Sequence, residues 1–207
     1  MIDLRTALAS ALLLLASTAC GDLASSPGEP TLEEVFAAVE KYRDVDVAIA
    51  DGYVRDLLDT CETPYHMGIT QDLGTMGIHF LRHDLLGINE PESRLDVRGA
   101  HTDFLQPAVL VYEPQADGSL ELVAIENLVA AEAWREAGHQ EPPSFHGVPY
   151  EYWPDDPGMS IRAQYDRHIW IHENPSGVFA QYNPAVSCAH HEYNMPMMEP
   201  PSSMPTH

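Results

Sequence analysis

Apolar positions follow two different periods along this chain, and the switch between them divides it. Leu32, Val35, Phe36, Val39 and Tyr42 recur at helical spacing. They follow Thr31-Leu32-Glu33-Glu34, in which the Thr31 hydroxyl and the Glu34 carboxylate can each satisfy a backbone N–H as a capping box. A second amphipathic stretch runs from Asp44 to about Leu58, interrupted by Gly52. After Cys61 the period shortens to that of strands. Strands are predicted over 76–81, 107–113, 119–128, 147–153 and 161–172, with Gln115-Ala116-Asp117-Gly118 closing a hairpin. A helix from about Ala130 to Ala137 stops at Gly138. Helices are segregated from strands and no repeat appears, which predicts an α+β single domain over residues 31–188, N-terminal helices packed on an antiparallel β-sheet.

The flanks have other compositions. Arg5, the apolar run Ala7 to Ala16, and Ser17-Thr18-Ala19-Cys20-Gly21 resemble a bacterial lipoprotein signal, although Ser17 stands where Leu is usual. The run is too short to span a hydrocarbon layer of about 30 Å. Residues 1–19 therefore read as a cleaved signal peptide. Cys20 reads as the lipidated residue that anchors the chain to a membrane, in the extracytoplasmic cell envelope. Residues 20–30, rich in Ser, Gly and Pro, read as a lipid-anchored flexible linker. Residues 189–207 carry Met, His and Pro without apolar periodicity and read as a disordered tail.

Charge removes one class of partner. A formal net charge of −22 repels phosphate backbones, so no nucleic acid is expected, and a basic protein partner suits this surface better. Cysteine parity adds a covalent constraint: with Cys20 acylated, the other two of the three cysteines, Cys61 and Cys188, remain as a pair. In an oxidising compartment they would close a long loop, for which loop-closure entropy contributes roughly 4 to 5 kcal/mol.

Several chemistries are missing from the chain. It has no G-x-S-x-G, G-x-G-x-x-G, P-loop or C-x-x-C, so no nucleotide cofactor is expected, and His79 to His83 has Phe80 where a zinc-protease Glu would stand. Eleven histidines remain to be placed. Alternation puts Glu126 in a row with Leu120, Leu122, Ala124 and Leu128, where a carboxylate needs a metal, a donor or an arginine such as Arg162 or Arg167. His79 projects opposite Met76, Ile78 and Phe80, beside Gly77, which leaves room for a ligand or another strand. Asp166, His168, Trp170 and His172 share a face, but His168 and His172 lie about 13 Å apart along a strand and cannot bind one ion. His79, Glu126 and His168 thus form a candidate site for one transition metal ion, Zn(II), Fe(II) or copper, to which His146 or His172 could add a nitrogen. His190, His191, Met195, Met197, Met198, Met204 and His207 form a separate thioether and imidazole set suited to copper.

MGIHF (76–80), VAIENLV (123–129), EPPSFHG (141–147) and RHIWIHENPSGVFAQYNPAVSC (167–188) resemble a family of exported bacterial proteins to which no activity is assigned. The resemblance covers roughly residues 45–188. It implies an α+β fold and export, with His172 standing where the family usually has an aromatic residue. Three functions are compatible with these features: an exported lipid-anchored metal-binding protein without turnover, a metal-dependent enzyme using a His/Glu/His site, or a non-catalytic envelope scaffold. The oligomeric state is left open.

Overall fold

A computed structural model describes residues 28–57, 59–69, 71–89, 96–155 and 162–191. The signal peptide, Cys20 and residues 192–207 of the tail lie outside the described residues.

The capping box forms as the sequence predicts. Thr31 Oγ1 accepts from the Glu34 backbone N–H, Glu34 accepts from the Thr31 N–H at 2.8 Å, and helix α1 (Leu32–Val39) follows. A 3-10 turn (Glu40–Arg43) leads into α2 (Val45–Ala50). The second amphipathic stretch therefore ends earlier than its pattern suggests. Gly52 adopts φ +96°, and the chain beyond it becomes β1 (Val54–Arg55). Then come β2 (Cys61–Glu62), β3 (Gly77–Leu81), α3 (His83–Leu86), β4 (Val109–Pro114), β5 (Leu120–Ala130), α4 (Ala131–Glu136), β6 (Ser144–Phe145), β7 (Val148–Pro149), β8 (Glu151–Trp153) and β9 (Gln164–Trp170).

Seven strands make one antiparallel sheet in the order β1-β3-β4-β5-β9-β8, with β2 also on β3, while β6 and β7 form a separate pair. The fold is α+β. One face of the sheet, carrying Ile78, Phe80, Leu110, Tyr112, Ile125 and Ile169, packs on Val35, Val39, Tyr42 and Ala48 from the N-terminal helices. Tyr112 seals this layer by donating its hydroxyl to the Tyr42 carbonyl at 2.7 Å. The other face carries Leu81, Val109, Val111, Ala124, Leu128 and Trp170 against Leu86, Val97 and Val186.

Residues 171–188 form a strap that reaches both faces, with Ile171, Val178, Phe179 and Cys188 packed against the helix-side core and Val186 against the other, and its two Asn-Pro units explain its shape. Asn174 Oδ1 accepts from Ser176 N–H and Asn183 Oδ1 from Ala185 N–H, each at 2.9 Å, so both asparagines close a turn onto their own backbone. Asn183 also exchanges backbone hydrogen bonds with Thr75. The backbones approach so closely there that a Cβ at Gly74 would sit 2.1 Å from the Asn183 carbonyl oxygen. At the strap's end Cys188 is disulfide-bonded to Cys61, spanning 127 residues.

Candidate metal centre

Strands β3, β5 and β9 supply the centre, with β4 between the first two, and the register across all four decides which side chains meet. β3 pairs with β4 so that His79 lies opposite Val111, and β5 pairs with β9 so that Glu126 lies opposite His168. Val111 and Val109 in turn face Ala124 and Glu126 across the β4–β5 ladder, which places all three polar residues on the face away from the helices.

That face depends on one irregularity. Strict alternation along β5 would put Leu120, Leu122, Ala124, Glu126 and Leu128 in a single row, and they do not form one. Val111 pairs with Ala124 but Tyr112 pairs with Leu122, so Val123 is the extra residue of a β-bulge. Leu122 consequently joins the helix-side core, with Leu120 packed against it, whereas Ala124 and Leu128 join the opposite core beside Glu126. The Val123 carbonyl accepts from both Ile171 and His172 backbone N–H groups, and so the bulge also ends the β9 ladder.

His79 Nε2 lies 3.4 Å and His168 Nε2 3.7 Å from Glu126 Oε2, and one donor atom from each residue lies within 4.8 Å of the others. Ligands about 2.0 to 2.2 Å from a tetrahedral ion stand about 3.4 Å apart, so the two measured separations are near those of a bound state. The three side chains are 4%, 5% and 1% exposed. Neither ring nitrogen of His168 makes a hydrogen bond among the described residues, although both are buried. Its nearest acceptors, Asp166 Oδ1 at 3.4 Å from Nδ1 and Glu126 Oε2 at 3.7 Å from Nε2, are distant for hydrogen bonds, so the ring bears part of the cost of about 1 to 3 kcal/mol of a poorly met buried polar group, which a ligand would relieve.

Electrostatics point the same way. Burial pushes the His79 imidazole below its ordinary value, outweighing the Asp56 and Asp166 carboxylates that favour its charged form. Burial acts on His168 too, but Glu126 and Asp166 overcome it and hold that imidazole above its ordinary value. Asp166 is itself held low, its own burial being outweighed by the attraction of His168. Several carboxylates thus share a small dry volume with two imidazoles, an arrangement that a cation stabilises.

The arginine alternative for Glu126 does not hold. Arg162 pairs with Asp96, and Arg167 faces the helix side, where it donates to the Phe179 and Pro149 carbonyls and lies over the Tyr150 ring. The two extra histidines are also placed elsewhere. His172 lies beyond the end of β9 and meets Glu121 Oε1 at 3.1 Å. His146, at φ +50°, stacks on Phe145 and meets the Pro30 carbonyl oxygen at 2.8 Å. Neither belongs to the three-residue cluster. In the tail, His191 meets the Asp59 carbonyl oxygen at 2.6 Å, and the methionines lie outside the described residues.

Sequence patterning does not single out two acids that lie near the centre. Asp56 donates its backbone N–H to the His79 carbonyl at 2.9 Å, one position past the β1–β3 pairing, and is buried. Asp166, two residues before His168 and on its face by strand alternation, is buried against the ring, a contact that local sequence does not show. No family model, no curated protein and no solved structure matches this chain.

Proposed function

We propose that this protein is an exported, lipid-anchored metal-binding protein that holds one divalent transition-metal ion between His79, Glu126 and His168. The observation that carries the reading is the near-bound spacing of three buried donors, within 4.8 Å of one another, on strands β3, β5 and β9 of one sheet. Two imidazoles and one carboxylate suit zinc(II) best, with iron(II) and copper(II) accepted by the same donors and selected by availability. The burial of all three ligands favours retention of the ion over turnover of a bulky substrate. Export is supported by the Cys61–Cys188 disulfide, since such bonds persist in oxidising compartments. Lipid anchoring rests on the signal pattern ending at Cys20.

Elemental analysis of protein purified without a histidine tag, coupled to zinc titration of the chelator-treated form, tests the metal reading. One equivalent per chain, lost in His79→Ala and His168→Ala, is the expected result. Protein that carries no metal and takes up none would end it. Mass spectrometry of the native protein tests the anchor through a diacyl or triacyl addition at Cys20.

A further inference from the structure

We propose that Asp166 is the positioning residue of this centre, orienting the His168 ring from outside the ligand shell so that Nε2 is the nitrogen offered to the ion. The proposal rests on the metal-binding reading above. His168 has carboxylates at both ring nitrogens, with Glu126 Oε2 3.7 Å from Nε2 and Asp166 Oδ1 3.4 Å from Nδ1. Only one nitrogen can face an ion shared with His79 and Glu126, and the distances make it Nε2, on the Glu126 side. Nδ1 must then carry the proton, and Asp166 is the acceptor beside it. A carboxylate so placed fixes the tautomer and raises the basicity of the coordinating nitrogen.

Asp166 is built for this role. It is 3% exposed, and its second oxygen accepts from Gln181 Nε2 at 2.7 Å, which ties it to the strap. The strap holds the other side of the ring as well. Trp170 lies nearly parallel to His168, with centroids 6.2 Å apart, and its Nε1 donates to the Ala180 carbonyl at 2.6 Å. Gln181 and Ala180 are adjacent, so one short segment positions both the carboxylate and the indole. This gives the NPSGVFAQYNP segment a task beyond covering the sheet.

The test uses the full mature protein, freed of metal by chelation, titrated with cobalt(II) and competed with zinc(II). Wild type should bind one equivalent with a visible ligand-field band. Asp166→Asn should keep that stoichiometry, bind about 10- to 100-fold more weakly, and shift the band. Gln181→Leu, which releases Asp166 without touching the ring, should weaken binding in the same direction by less, and it decides the matter if Asp166→Asn does not fold. Asp166→Asn with wild-type affinity and an unshifted band would overturn the positioning role while leaving the metal site standing. So would a folded Asp166→Asn that binds nothing, because Asp166 would then be a ligand. Wild-type protein that binds neither ion fails the underlying site instead.

Discussion

Glu126 and Gly77 are both buried at the centre of the sheet, yet their substitutions should be read out differently. Glu126 supplies the negative donor between two imidazoles, so Glu126→Gln should weaken zinc binding by about 100-fold or more while leaving a cooperative denaturant transition. Isothermal titration alongside chemical unfolding checks both halves. Gly77 supplies space and backbone freedom. It holds φ +122°, and a Cβ there would sit 2.6 Å from the Tyr112 carbonyl oxygen and 2.9 Å from Val111 Cγ1. Gly77→Ala should therefore cost at least about 2 kcal/mol in denaturant unfolding, through strain at an unfavourable φ and through forced separation of β3 from β4. The sequence pointed to room beside His79, and the room is occupied by the neighbouring strand.

At the level of elements, the bulge at Val123 lets β5 serve two cores. Its first half contributes Leu122 to the helix side, and its second half turns Glu126 toward the histidines. Deleting Val123 would leave a regular strand in which Leu122 and Ala124 keep their partners Tyr112 and Val111, and so their faces, but it removes a buried side chain and the carbonyl that accepts from Ile171 and His172. The expected outcome is a loss of about 1 to 3 kcal/mol in unfolding free energy with zinc binding retained. A folded deletion protein that no longer binds zinc would show that the bulge itself is needed to place Glu126. Alternation locates strands but cannot locate a bulge, because an extra apolar residue such as Val123 looks like any other buried position. The capping box was legible for the opposite reason, since Thr31 and Glu34 interact within one helical turn.

For the whole molecule, two devices tie the strap to the sheet: the Thr75–Asn183 bridge and, in the helix-side core, the Cys61–Cys188 disulfide. Because β2 carries Cys61 and pairs with β3, the disulfide anchors the strap to the strand that bears His79. Reduction should lower stability by roughly 4 to 5 kcal/mol through the restored freedom of a long unfolded loop. Denaturant curves with and without reductant measure this, and coincident curves would show that the bridge contributes nothing. Metal should act in the opposite direction. Zinc at 100 times its dissociation constant should add about 2.7 kcal/mol, and at the same concentration the addition should fall to about 0.4 kcal/mol or less in Glu126→Gln.

Interactions between chain neighbours are legible in residue order, and they dictate the first helix and its cap, the Asp-Gly hairpin, the alternating strands, and therefore the α+β class. The same residue order pairs Cys61 with Cys188 by parity and singles out Glu126, whose place in an apolar row announces a desolvation cost, with His79 beside Gly77 and His168 on its strand face. Register decided the rest. Only the assembled sheet could exclude His146 and His172, send Arg167 to the helix side, and bring Asp56 and Asp166 to the centre. Those outcomes follow from which residue lies opposite which across hydrogen-bonded strands, and a one-residue slip or bulge reverses a side chain's face without leaving a mark on local composition.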